Sequence, residues 1–129
     1  MIDHMTFGVA DMTRAIAFYD AALAPLGLRR LVDFRDDGVR VVGYGGGQPG
    51  FWMAEERATS GLLHVAFSAT CRTDVDAFHA AALAAGGTDN GPPGLRPHYH
   101  VDYYAAFVRD PDGHNIEAVC HLPEDAPAK

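Results

Sequence analysis

The chain repeats itself. When the sequence is shifted by 60 residues, HMTFGVADMTRAIAFYDAALAPLG (4–27) falls on HVAFSATCRTDVDAFHAAALAAGG (64–87) without a gap, and ten of 24 positions are identical. Four of the ten are alanines in an alanine-rich chain and carry little weight. The other six include His4/His64, Phe7/Phe67, Phe18/Phe78 and Gly27/Gly87, at both ends of the segment. Self-similarity over this length means that one supersecondary unit has been used twice, so the architecture is two copies of whatever the unit folds into.

Each copy opens on a strand. Residues 2–9 and 62–68 carry apolar, β-branched or aromatic side chains and no proline. A helix follows. In the first copy Asp11 is the N-cap candidate, and Met12, Ala15, Ile16, Tyr19, Leu23 and Leu26 trace one face. In the second, Thr73 is the cap, and Val75, Phe78, His79, Ala82 and Leu83 repeat the spacing. Gly27 and Gly86-Gly87 stop the two helices. Strand-like segments then run at 31–34, 39–44 and 51–54 in the first copy and at 103–108 and 115–121 in the second. Turns break them at Asp36-Asp37-Gly38, at 45–50 and at Asp110-Pro111-Asp112-Gly113. The stretch 91–100, with its prolines and glycines, reads as a surface loop, and the tail 123–129 as frayed. The order is βαβββ twice, an α+β arrangement with helices outside a mixed sheet. One domain spans 1–129, with a first module at about 1–57 and a second at about 62–122.

Several function classes are excluded by composition. The formal charge is −7 with no basic cluster, whereas phosphate-backbone binding needs concentrated Lys and Arg. No apolar run approaches the ~20 residues that span a bilayer. Cys71 and Cys120 have neither zinc-type spacing nor a disulfide framework, so they read as reduced thiols. No signal segment opens the chain. A bacterial cytoplasmic protein acting on a small molecule, with no nucleic acid or membrane as partner, is the expectation.

The chemistry-bearing residues sit on the strands. Alternation sends His4 to one face with Ile2 and Thr6, and His64 to one with Leu62 and Ala66. The last strand groups Asn115, Glu117, Val119 and His121 opposite Ile116, Ala118 and Cys120. A mid-strand carboxylate among apolar neighbours is costly unless a cation or metal compensates it. A lone strand histidine is more often structural than a ligand, but two at equivalent repeat positions reverse that balance. Two His and one carboxylate form a ligand set for a divalent metal with coordination positions left open. His98 and His100 flank Tyr99 in the proline-containing stretch; an exposed H-x-H is usually solvated. His100, Tyr103 and Tyr104 are nevertheless candidates to cover the site and donate protons to substrate. His121 is a substrate-facing candidate, Phe51 and Trp52 are candidates for an aromatic lining, His79 reads as packing, and His114, after a tight turn, as exposed.

These segments resemble the vicinal oxygen chelate superfamily, which includes glyoxalase I, extradiol dioxygenases, fosfomycin-modifying thiol transferases and bleomycin-binding proteins. The resemblance lies in IDHMTFGVADMTRAIAFYDAALAPLG, in GLLHVAFSA and in YYAAFVRDPDGHNIEAV, and covers the chain to about His121. It implies paired βαβββ modules curling into an open cup around a divalent metal (Fe, Mn, Zn or Ni) held by His4, His64 and Glu117. It implies Lewis-acid chemistry on neighbouring substrate oxygens, of dioxygenase, lyase/isomerase or thiol-transferase type, with Glu117, Tyr103 and His100 as catalytic candidates and Trp52, Phe51, Tyr104 and His121 around the substrate. It also implies a homodimer, with modules paired within one chain or across two. Glyoxalase I has a fourth ligand at a slot where this sequence places Trp52 or Ala54, neither of which coordinates, so a three-ligand site is expected. A metal-free, ligand-sequestering binding protein of the bleomycin-resistance type is the alternative.

Overall fold

The computed structural model describes residues 1–124. The first module runs β1 (Met5–Val9), α1 (Met12–Leu23), a 3-10 turn over Ala24–Leu26, β2 (Arg29–Asp36), β3 (Val39–Gly45) and β4 (Phe51–Glu55). The second runs β5 (His64–Ser68), α2 (Arg72–Ala84), β6 (Thr88–Leu95), β7 (Tyr104–Arg109) and β8 (Asn115–Cys120). Two four-stranded mixed sheets result, ordered β1-β4-β3-β2 and β5-β8-β7-β6. In each, the opening strand pairs parallel with the last strand of its module. The duplicated βαβββ architecture is therefore present, with both sheets open.

Local chemistry sets the boundaries. Asp11 caps α1 from an extended conformation, its carboxylate accepting from the Arg14 amide at 3.1 Å. Gly27 closes the 3-10 turn with φ 77°, a left-handed conformation that costs glycine least. The second helix departs from expectation: it begins at Arg72 with Cys71 as N-cap, so Thr73 lies inside the first turn. The stretch 91–100 departs further. Its first half is the edge strand β6, with register shifts between Asp89 and Gly91 and between Gly91 and Gly94. Prolines are tolerated there because an edge strand with bulges has ladder positions that need no N–H donor. The tail expected to fray begins within the described residues; 125–129 lie outside them.

Both modules feed one core. Phe7, Phe18, Tyr19 and Met53 from the first pack with Phe78 and Ile116 from the second in a single buried cluster. Alternation along β4 sends Phe51 into this cluster, 5.4 Å from the Phe7 ring and 5.2 Å from Tyr19, and turns Trp52 to the opposite face. Phe51 is thus a core residue, which corrects its assignment to a substrate wall beside Trp52. His114 is also buried rather than exposed. The Asp110 carboxylate folds the hairpin inward by accepting from the amides of Asp112 and His114 and from the Tyr19 hydroxyl at 2.5 Å. This leaves the His114 ring edge-on to Phe7 at 5.6 Å. Burial, and then the Asp110 charge and hydrogen bond, push the Tyr19 phenol well above its ordinary value, so it serves as a donor.

The segment joining the modules is fastened to the edge strand β1. Glu56 N–H donates to Val9 O, Thr59 N–H donates to Gly8 O, and Gly8 N–H donates to Thr59 Oγ1. A Cβ on Gly8 would stand 2.3 Å from the Arg57 carbonyl oxygen, so this approach requires a glycine.

Candidate functional site

In the second sheet, the face away from the core carries Glu117. Its neighbours on β8, Ile116, Ala118 and Cys120, point into the core and are fully buried. Glu117 itself is only 1% exposed, a carboxylate that would be costly without partners. It has two. His64 Nε2 lies 2.7 Å from Glu117 Oε1, and the Tyr103 hydroxyl donates to Glu117 Oε2. Burial, followed by the hydrogen bond to Glu117 and its charge, raises the Tyr103 phenol far above its ordinary value. Tyr103 is therefore a fixed proton donor at neutral pH.

Pairing explains the convergence. Ala66 of β5 lies opposite Glu117, and Phe107 of β7 lies opposite Glu117 on the other side. The Phe107 ring sits 6.2 Å from the His64 ring and forms the floor beside the pair. The turn between β6 and β7, closed by Arg96 N–H to Tyr103 O at 2.7 Å and Tyr103 N–H to His100 O at 3.1 Å, brings more rings to this side. His121 lies 5.2 Å from Tyr103 and 5.7 Å from His100. Of the substrate-facing candidates, His100, Tyr103 and His121 gather near Glu117. Tyr104 does not: its hydroxyl donates to Asp76 of α2 at 2.6 Å and the Arg72 guanidinium lies over its ring. It stands on the helix-covered side, which removes it from the substrate wall.

The corresponding face of the first sheet carries His4 and Trp52. A hollow of about 470 Å³ is lined by His4, Thr6, Phe34, Val41, Gln48 and Trp52, among others. Trp52 Nε1–H donates to Pro49 O at 3.2 Å, and its ring stands edge-on to Phe34 at 6.4 Å. His4 Nδ1 is 2.6 Å from Asp3 Oδ1. A carboxylate beside Nδ1 favours the tautomer in which Nε2 is the acceptor. Asp3, adjacent to His4 in sequence, was readable as such a partner; Phe34, Phe107 and Arg96 carried no pattern that marked them.

Within one chain, His4 does not join His64 and Glu117. No three His, Cys, Asp or Glu side chains among the described residues gather where they could hold one metal ion. His64 and Glu117 form a hydrogen-bonded pair on the second sheet, and His4 stands beside the first. Two apolar side chains beside these histidines, Ile2 and Leu62, occupy equivalent repeat positions and are 82% and 99% exposed.

The family model described as the Glyoxalase/Bleomycin resistance protein/Dioxygenase superfamily matches residues 1–118. A metallothiol transferase FosB from Shouchella clausii (strain KSM-K16) is 29% identical over 126 residues, covering 90% of this chain and 77% of that protein. Among solved structures, a glyoxalase/bleomycin resistance protein from Albidiferax ferrireducens T118 superposes with TM-score 0.73 at 35% identity, covering 93% of this chain and 97% of the other. A lactoylglutathione lyase from Agrobacterium tumefaciens shares the fold with TM-score 0.65 at 19% identity, covering 93% and 92%.

Proposed function

This chain belongs to the glyoxalase/bleomycin resistance protein/dioxygenase superfamily, and we propose that it is a divalent-metal-dependent enzyme acting on a small molecule through neighbouring oxygens. The observation that carries the proposal is the His64–Glu117 contact. A buried carboxylate held 2.7 Å from an imidazole nitrogen directs two lone pairs at one place. Ligands bind a divalent cation deprotonated, so His64 Nε2 and Glu117 Oε1 would hold it in place of their mutual hydrogen bond. The donor set fits: neutral imidazole and carboxylate, with His4 Nε2 as the third ligand. When bound, the metal supplies Lewis acidity to paired substrate oxygens.

The chain's own residues do the rest. Tyr103 holds Glu117 in one rotamer and keeps a proton beside the reacting oxygens. His100 and His121, in ring contact with each other, are placed to relay a proton between that phenol and solvent. Trp52 and Phe34 supply an aromatic wall, which suits an aromatic or partly apolar substrate. Trp52 at the fourth slot favours three-ligand chemistry, of transferase or dioxygenase type, over isomerisation with an extra carboxylate base; the similarity to a metallothiol transferase agrees with this.

A second copy of the chain completes the site. His4 of one copy meets His64 and Glu117 of the other, and the exposed Ile2 and Leu62 are covered as the two open sheets face each other. The test is metal content by elemental analysis of tag-free protein, with light scattering. Wild type is expected to be dimeric and to hold one zinc or manganese per chain, and His4→Ala and His64→Ala each to lose it. Mixed refolding of equal amounts of these two variants should restore one metal per heterodimer, about one per four chains in the statistical mixture, since each heterodimer regains one intact site and the homodimers none. Metal-free wild type overturns the enzyme reading. It would favour a ligand-sequestering protein, which the two existing partners of Glu117 would also suit. Metal without restoration in the mixture overturns the cross-chain arrangement alone.

A further inference from the structure

We infer that Arg96 is the anion-receiving residue of this site, and that the substrate carries a carboxylate next to the oxygens presented to the metal; this rests on the metal-site reading above. The placement of Arg96 comes first. Its guanidinium lies over the Phe107 ring, 5.4 Å from the centroid, and Phe107 is the residue paired with Glu117 and in ring contact with His64. Its backbone N–H is bonded to the carbonyl of Tyr103, whose hydroxyl holds Glu117. Arg96 therefore belongs to the wall of the Glu117 face.

The seat is purpose-shaped. Nη1 donates to Gly94 O and Nη2 to Pro92 O, each at 2.8 Å. Those carbonyls turn toward the guanidinium because β6 slips register on both sides of Gly91. A Cβ on Gly91 would stand 3.2 Å from Nη2 and 3.0 Å from the Phe107 ring, and one on Gly94 would stand 3.2 Å from Nη1. Two glycines and two bulges thus make room for a flat guanidinium between strand and ring. Stacking on an aromatic face and bonding to carbonyls fix its plane while leaving its charge unneutralised.

No carboxylate among the described residues answers that charge. Among the described residues Arg96 makes no ion pair, although the chain carries 17 acidic residues. The acid in the same turn, Asp102, lies 3.5 Å from Arg72 instead. A half-buried, pre-oriented guanidinium with three N–H groups still uncommitted is the geometry that takes a carboxylate, and an acidic ligand would find it beside the ring that floors the site.

The experiment uses 2,3-dihydroxybenzoate and its neutral analogue 2,3-dihydroxybenzamide, which keeps the aromatic ring and the vicinal oxygens but replaces the carboxylate by a carboxamide. Both are titrated by calorimetry into zinc-treated and chelator-treated protein. Wild type is expected to prefer the acid. Arg96→Gln should weaken the acid about tenfold, the scale of one charge-assisted pair, and leave the amide within about twofold. Arg96→Lys, which keeps the charge, should retain part of the preference. Equal loss for both probes would mean that Arg96 only props Phe107, and unchanged acid binding in Arg96→Gln would mean that it faces no ligand; either overturns the inference. Loss of the acid preference in Arg96→Gln protein that never held zinc would sink the metal reading and leave the anion site standing. If Arg96→Gln lowers the unfolding temperature, Arg96→Lys against wild type decides the question.

Discussion

Trp52 stands in the first sheet where Glu117 stands in the second. Thr6 is paired with Trp52, and its repeat counterpart Ala66 is paired with Glu117. Duplication followed by divergence has left one module with a buried carboxylate and the other with an indole ring at the same ladder position. Trp52→Ala should therefore leave metal content unchanged while weakening aromatic ligands several-fold. Because the chain has a single tryptophan, ligand binding to wild type should alter its emission. Metal loss in Trp52→Ala would show that the two positions are not divided in this way.

Tyr103→Phe removes one of the two donors to a carboxylate that is 1% exposed. Metal-free protein should lose about 1–3 kcal/mol of stability, the cost of leaving a buried acceptor short of a partner. Zinc-loaded protein should lose less, because the cation replaces the missing donor. Urea denaturation with and without zinc measures both; an equal loss in the two conditions would place the ion elsewhere.

The buried Tyr19–Asp110 bond ties α1 to the hairpin that aims β8. Tyr19→Phe keeps the ring packing of Tyr19 against Phe18 and Phe51 but leaves Asp110 with only the two amides. A loss of about 1–3 kcal/mol is expected, with the metal stoichiometry of folded protein retained. An unchanged melting temperature would show that Asp110 finds another donor.

Stability should fall at both ends of the pH scale for identifiable reasons. The Arg40 hydrogen bond holds the Asp33 carboxyl below its ordinary value. Its contribution is therefore full above the unfolded-state value near 3.9 and is lost as pH falls through the lower folded value. Arg40→Met should make acid unfolding begin at higher pH, by a modest amount since the pair is partly solvated. At the alkaline end, burial and then the Asp76 hydrogen bond push the Tyr104 phenol up to about 12. The unfolded chain ionises first, so stability drains between about pH 10 and that value. Tyr104→Phe should flatten this limb; an unchanged alkaline profile would assign it to other phenols.

The fold was legible because its two signals, repeat and strand alternation, are local and periodic. Alternation alone placed Glu117 opposite Ile116, Ala118 and Cys120. It could equally have separated Phe51 from Trp52, and grouping the two as one wall overlooked that adjacent strand residues face opposite ways. The chemistry of 91–100 was hidden for another reason. Its prolines and glycines signal a loop, yet on an edge strand they permit bulges, and the carbonyls of Pro92 and Gly94 there receive the Arg96 guanidinium. The tight turn before His114 signals exposure, and its burial has no local sign, because the inward fold of Asp110 depends on Tyr19, 91 residues away. That a single chain keeps His4 apart from His64 and Glu117 has no sequence signature, since the repeat is the same whichever chain the modules belong to.

The fastening of residues 56–59 along β1 also gives the joining segment a protective duty. A border strand with bare amides and carbonyls is a template for unwanted β-pairing, and here part of that border is sealed by the very stretch that tethers the halves. An insertion or protease cut at Arg57 would thus do more than lengthen or sever a tether. It would unmask Gly8 and Val9 and invite aggregation along a border that is otherwise closed at its C-terminal end.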